Sequence, residues 1–255
     1  MTDATTLPIL LRQLNLSTMA GCWSEVGERA DQQNWSLTQT LAALCEYELA
    51  ERQRRRLARH LKQSRLPAGK TLERFEFETI AGADRARLSQ LACDTGWIEA
   101  ANNLLLFGPS GVGKSHLAAA IGHGLIEQGL QVRYESASTI VQQLQAAKQE
   151  LRLADALNKL DKYRLLIIDD IGYVQRSEAE TSVLFELIAH RYEAGSLLMT
   201  SNQPFSAWDR IFPDDMMAVA AIDRLIHHAH VFELRGESYR KRAYHRQKQE
   251  VNTAN

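Results

Sequence analysis

Leu104 to Ala118 reads LLLFGPSGVGKSHLA: an apolar run, a glycine-rich loop, and the opening of an amphipathic helix. Gly108–Ser115 (GPSGVGKS) matches GxxxxGK[ST] in full, and a strand before with a helix after is the setting that motif requires. Composition alone would give the bare pattern in a chain of this length on the order of once in a hundred, and the setting makes chance rarer still. Glycines at 108, 111 and 113 let the backbone curl until successive N–H groups and the helix N-terminus point at a phosphate. The loop thus assigns phosphate contacts to Gly108, Pro109, Ser110, Gly111, Val112 and Gly113. Lys114 is expected to meet the β and γ phosphates of a nucleotide, and Ser115 to ligate Mg²⁺.

Leu165–Asp170 (LLIIDD) is a second apolar run, ending in two carboxylates. A buried strand would deliver them to the carboxyl edge of a sheet, where ligands of such folds bind. Asp169 is then expected in the Mg²⁺ shell, and Asp170 as the general base that polarises the attacking water. Leu197–Asn202 (LLMTSN) is a third such run, whose terminal Asn202 can hydrogen-bond that water or the γ-phosphate.

The runs Leu104–Phe107, Val132–Tyr134, Leu165–Ile168, Leu197–Thr200 and Val231–Leu234 read as strands. Between them, helical periodicity marks Leu117–Gln128, Thr139–Lys148, Glu178–Arg191 and Ala220–His227, with Gly129 and Gly195 placed as C-caps. Alternating strands and helices indicate a mostly parallel sheet covered on both faces.

Before this module the chain reads as helical. Leu7, Leu10, Leu11 and Leu14 share one stripe that continues through Met19, Trp23 and Val26. Ser36 with Gln39 three residues on forms a capping box opening a second helix through Leu37, Leu41 and Leu44. That helix runs into Arg52, Arg54, Arg55, Arg56, Arg59, Lys62 and Arg65, with no acid between them, and Pro67 and Gly69 end it. The expected division is a helical domain at 1–66, a linker at 67–78, an ATPase domain at 79–246 and a polar tail at 247–255. Arg52, Arg55, Arg56 and Arg59 align along one helix side, continued by Lys62, giving a stripe able to follow DNA phosphates.

With 255 residues, 45% of them hydrophobic, the chain can bury one full α/β core and carry a small appendage. Its 30 basic against 31 acidic side chains leave a formal charge of -1, so any nucleic-acid argument rests on local charge. Cys22, Cys45 and Cys93 show no ligand spacing and read as reduced, buried small apolar residues. There is no signal-like N-terminus and no run of about 18 apolar residues, so a soluble, cytoplasmic protein without membrane partners is expected. His227, His228 and His230 raise a metal site, but only Asp223 stands at ligand spacing, so packing or interface roles are the reading. Trp23, Trp35, Trp97 and Trp208 are spread out, as core or interface anchors would be.

These elements in order resemble the AAA+ ATPases, and more closely the IstB-like ATP-binding helpers of insertion-sequence transposases, which are similar to DnaC-type helicase loaders. The resemblance rests on LRQL at 11–14, LAALCEYELAERQRRR at 41–56, RLP at 65–67, NLLLFGP at 103–109 and KSHLA at 114–118. It rests also on IGY at 171–173, TSNQPF at 200–205, DRLIHHAH at 223–230 and GESYR at 236–240, the last two being far more specific than the loop. The resemblance implies a five-stranded parallel sheet, a truncated AAA+ module without the usual helical lid, and an N-terminal helical domain contacting double-stranded DNA. ATP and Mg²⁺ are the implied cofactors, a homo-oligomeric ring or helical filament the implied assembly, and a cognate transposase the implied partner. Matched residue by residue, Arg224 is the arginine that reaches the γ-phosphate of a neighbouring subunit, Arg240 a second phosphate contact, and His116 part of the nucleotide site. Many relatives carry Glu after the strand-end Asp where this chain has Asp170, so hydrolysis is expected to be slow or to need closure on DNA.

An ATP-dependent helper of a transposase is the leading reading. A DnaC-like helicase loader keeps the ATPase and changes the client. A small-molecule kinase would need an acceptor pocket and usually a lid, and a pure binding module would use ATP only to lock a DNA-bound shape.

Overall fold

Leu7–Gln13 and Ser17–Gln32 are two helices, α1 and α2, where the apolar spacing reads as one. The break is Asn15, held at φ +59, a left-handed conformation that asparagine tolerates better than most residues. Leu37–Ser64 forms α3, opened by the expected capping box: Gln39 N donates to Ser36 Oγ at 3.3 Å and Ser36 N to Gln39 Oε1 at 2.7 Å. Leu11, Met19, Ala20, Val26 and Leu44 make a small core, with Trp23 and Trp35 packed against it.

Glu48 is the polar key of this unit. Buried at 3% exposure, it accepts the Thr18 and Met19 amides at 2.8 and 3.1 Å and pairs with Arg52 Nε at 2.8 Å. Burial pushes its carboxyl up, but the Arg52 and amide hydrogen bonds outweigh it and hold the group below its ordinary value. Glu48→Ala is therefore expected to cost this unit about 3 kcal/mol, since bonds to a charged group are worth roughly 1.5–3 kcal/mol. Because the folded carboxyl is depressed, the contribution is full above its unfolded value near 4.3 and is lost as pH falls through the folded one. Urea unfolding at neutral and acid pH checks both. A loss under about 0.5 kcal/mol at neutral pH would refute the assignment.

The computed structural model describes residues 6–172, 178–210, 212 and 215–239. The chain divides into two compact units, Met1–Arg59 and His60–Asn255, where punctuation by Pro67 and Gly69 led one to expect a division at 66/67. The difference is the last turn of α3, which is tied into the second unit. Arg133 donates to Gln63 O at 2.9 Å and Arg65 pairs with Glu135 at 2.8 Å. Arg65, at φ +58, ends the helix.

In that second unit the order is α4 (Arg85–Cys93), α5 (Gly96–Glu99), β1 (Asn103–Phe107), α6 (Lys114–Glu127), β2 (Val132–Ser136), α7 (Ala137–Gln149) and α8 (Leu153–Leu160). β3 (Leu165–Asp169), α9 (Glu178–Arg191), β4 (Ser196–Ser201), α10 (Asp215–Ile226) and β5 (Ala229–Glu233) follow, with 3₁₀ turns at Phe77–Thr79 and Phe205–Arg210. All five strands pair in parallel in the order β2-β3-β4-β1-β5. The three central strands are buried along nearly their whole length and are mostly apolar, with Ser196, Thr200 and Ser201 of β4 among the buried exceptions. Among the described residues no helical lid follows β5, and no helix is long and apolar enough to cross a membrane.

Three expectations need correction. Gly195 is not the left-handed cap of α9: Glu193 is, at φ +57, and Gly195 instead leaves room for the buried Arg191 guanidinium, which a Cβ there would meet at 2.5 Å. Cys45 and Cys93 are exposed rather than buried, and Cys22 is half-buried. The stretch after Pro67 is no slack linker. Phe75, Phe77 and Ile80 are buried, and Thr71 O is bonded to His116 Nε2 at 2.8 Å.

Candidate nucleotide site

The register of the sheet brings the three sequence runs to one edge. Phe107 lies beside Ser201, and Ile168 beside Met199, so the loop after β1, the acids ending β3 and Asn202 after β4 share the carboxyl edge. The loop is clamped from outside. At Gly108, φ +144, a Cβ would meet Leu234 O at 2.3 Å, and Gly113, φ +97, caps α6 in the left-handed region against the Phe75 ring. Only glycine fits either position.

Lys114 is buried, its Nζ donating to Gly108 O at 2.8 Å and Pro109 O at 2.9 Å. Asp169 accepts Thr200 Oγ1 at 2.6 Å on one carboxylate oxygen and Tyr134 Oη at 2.6 Å on the other. Ser115 opens α6 at the loop and Asp169 ends β3, a hydroxyl and a carboxylate that are hard oxygen donors of the kind Mg²⁺ takes, so the two fit that ion. Asp170 is exposed, at φ +67, with its amide bonded to Thr200 Oγ1 at 2.8 Å. Asn202 lies against Gly172, and its Oδ1 is buried without a hydrogen bond among the described residues. It stands on the strand between the acids and the loop.

A cleft of about 600 Å³ opens over the loop from Ser110 to Ser115 and over Asp170, with Asp169 and Asn202 outside its lining. Its far wall is Arg74, Phe75 and Ile80 from the segment before α4, with Tyr134, which no motif covered, and Tyr239 from the GESYR motif. Tyr239 N donates to Gly111 O at 2.9 Å, fastening the end of the GESY segment onto the loop. The alternation of Phe75, Phe77 and Ile80 after Pro67 and Gly69 was the available signal for a packed segment. His116 faces Phe75 at 5.5 Å between ring centroids, and burial lowers its pKa, with the Thr71 carbonyl opposing. It props that wall.

Arg224 lies elsewhere. It is in the last turn of α10, over the Phe185 ring at 5.2 Å, with Nη1 donating to Ala220 O at 2.9 Å. It lines an open pocket of about 530 Å³ with Tyr192, Met216, Val219 and Asp223. It also borders a smaller one with Asn103 and His228. That is the amino edge of the sheet, a full strand length from the loop, on the order of 13 Å at about 3.3 Å per residue. Arg240 lies outside the described residues.

Of the three histidines, His230 departs to Arg87 and Trp97. His227 and His228 instead meet Glu193, a partner 34 residues from His227 that spacing could not offer; the ligand atoms lie within 4.8 Å of one another at exposed positions. The basic stripe is partly spent within the fold. Arg52 is tied to Glu48 and to Asn15 O, and Arg55 to Glu51 and Ser17. Arg56 and Arg59 are exposed and make no ion pair among the described residues, and Lys62, in the other unit's share of α3, is exposed too.

Residues 9–248 match the model of the family described as IstB-like ATP binding protein. An insertion sequence ATP-binding protein of Sinorhizobium fredii is 49% identical over 241 residues, 94% of this chain and 81% of its own length. One of Pseudomonas aeruginosa is 37% identical over 234 residues, 92% of this chain and 88% of its own. Among solved structures the DnaC helicase loader shares the fold with a TM-score of 0.55 at 17% identity, over 66% of this chain and 98% of that one. DnaA from Aquifex aeolicus, bound to AMPPCP, shares it with a TM-score of 0.53 at 19% identity, over 67% of this chain and 51% of that one.

Proposed function

Because the chain belongs to the family of IstB-like ATP binding proteins, we propose that it is the ATP-dependent helper of an insertion-sequence transposase, assembling with ATP on double-stranded DNA and recruiting the transposase. Hydrolysis then releases it. The observation that carries this reading is the separation of Arg224 from the phosphate loop: each subunit holds a cleft at one sheet edge and a candidate arginine at the other. Such a pair is complete only when one subunit's arginine meets its neighbour's cleft, in a head-to-tail contact that builds rings or filaments.

In the cleft, the loop amides and Lys114 receive the phosphates, Lys114 exchanging the Gly108 and Pro109 carbonyls for phosphate oxygens. Asp170 accepts a proton as the water oxygen attacks the γ-phosphorus, and the bond to the bridging oxygen breaks to leave ADP and phosphate. Asn202 orients the water. Mg²⁺ held by Ser115 and Asp169 would neutralise charge on the phosphates. The neighbour's Arg224 would stabilise the charge that develops on the γ-phosphoryl group.

The test is ATP turnover with and without double-stranded DNA, beside light scattering with a slowly hydrolysed ATP analogue. Large assemblies requiring DNA and nucleotide together, with altered turnover, support the helper. A monomer whose turnover ignores DNA sinks it and favours a small-molecule kinase.

The freedom of Arg56 and Arg59 sharpens the DNA reading. Replacing both with Ala is expected to reduce the slope of log affinity against log salt by about 2, as two lost phosphate contacts require. Replacing Arg52 and Arg55 should change it less, because Glu48 and Glu51 already neutralise them. Equal slopes for both double variants would show that the ion pairs do not matter to DNA.

A further inference from the structure

We propose that Tyr134 is a positioning residue, its phenol fixing the Asp169 carboxylate so that this ligand is set for Mg²⁺ before nucleotide enters. This rests on the ATPase reading above. The register of β2 against β3 pairs Ser136 with Asp169 and Tyr134 with Ile167, so the tyrosine starts two residues back from the edge and its ring spans the difference. Its hydroxyl donates to one oxygen of Asp169 while Thr200 donates to the other, both at 2.6 Å. Two donors on opposite oxygens fix the rotation of the carboxylate. Thr200 is itself held, accepting the Asp170 amide at 2.8 Å, so β2, β3 and β4 all hold one side chain in place.

Packing alone does not explain this arrangement, since a phenylalanine ring would fill the same space without bonding Asp169. A small ion that demands near-ideal octahedral geometry gains most from oxygens already in place, and losing such an outer partner typically costs 10–100-fold in metal affinity.

The test is Tyr134→Phe in the full chain, read by binding of a fluorescent ATP analogue across a Mg²⁺ titration and again in excess EDTA. The expected result is a Mg²⁺ half-saturation raised about tenfold, with EDTA affinity within about twofold of the natural chain's. An unchanged Mg²⁺ curve overturns the proposal, and so does an equal loss of binding with and without Mg²⁺, which would place the phenol against the nucleotide or in the fold. If the natural chain's own binding ignores Mg²⁺, the ATPase reading fails and takes this one with it.

Discussion

Arg224→Ala is expected to leave ATP binding by the single chain intact and to remove on the order of 10³-fold or more of the turnover of the assembled form, the usual worth of an arginine finger. The cleft lining includes no part of α10, so nothing that touches nucleotide in the same subunit changes. What changes is a guanidinium set over Phe185 and steadied by the Ala220 carbonyl, facing an open pocket whose rim includes Met216 and Val219, exposed at 82% and 66%. Mixing supplies the decisive arm. Chains with Lys114→Ala have a dead cleft and a good arginine, whereas chains with Arg224→Ala have the reverse. Random mixing along a head-to-tail contact should reconstitute roughly a quarter of the sites. Recovered turnover places Arg224 in a neighbour's site. Full turnover by Arg224→Ala alone refutes the finger, and a loss that mixing does not restore assigns the arginine to its own subunit's fold.

The parts of the molecule that were legible were contiguous in sequence. A strand buried on both faces is mostly apolar, so the three central strands could be read to within a few residues, and the edge strands β2 and β5 showed through their shorter apolar cores at Val132–Tyr134 and Val231–Leu234. The loop and the paired aspartates were legible because each is a run whose neighbours in sequence are its neighbours in space. α8 was not, since it is short and begins after Leu151, which sits at φ +57 and breaks the periodicity following α7. Tyr134 and Phe75 were missed because each is a single side chain brought to the cleft from a distant element, and nothing local distinguishes it from a core aromatic, whereas Tyr239 lay within the GESYR motif and was given no role. Glu193 beside His227 and His228 is the same case. The ion pairs of Arg52 and Arg55, by contrast, lay within reach: Glu48 and Glu51 precede them by four residues on a helix, the spacing at which such pairs form. Reading the stripe together with its upstream acids would have singled out Arg56 and Arg59.

Asp170→Asn is expected to lower turnover about 10²–10³-fold, the worth of a positioned general base, while leaving ATP binding at least as tight, because a negative charge beside the phosphates is removed. The substitution is clean because of the backbone. Residue 170 sits at φ +67, which Asp and Asn adopt at less cost than longer side chains. Its amide bond to Thr200 Oγ1 does not depend on the side chain. The same geometry favours Asp over Glu here: at a left-handed position the shorter acid relieves the strain, at the expense of reach. Asp170→Glu separates the two effects. It should destabilise the chain by about 1 kcal/mol through the backbone and raise turnover if reach is what limits the reaction. If the Asn variant turns over like the natural chain, Asp170 is not the base, and orienting the water falls to Asn202, whose Oδ1 is buried beside Gly172 with no hydrogen-bond partner among the described residues.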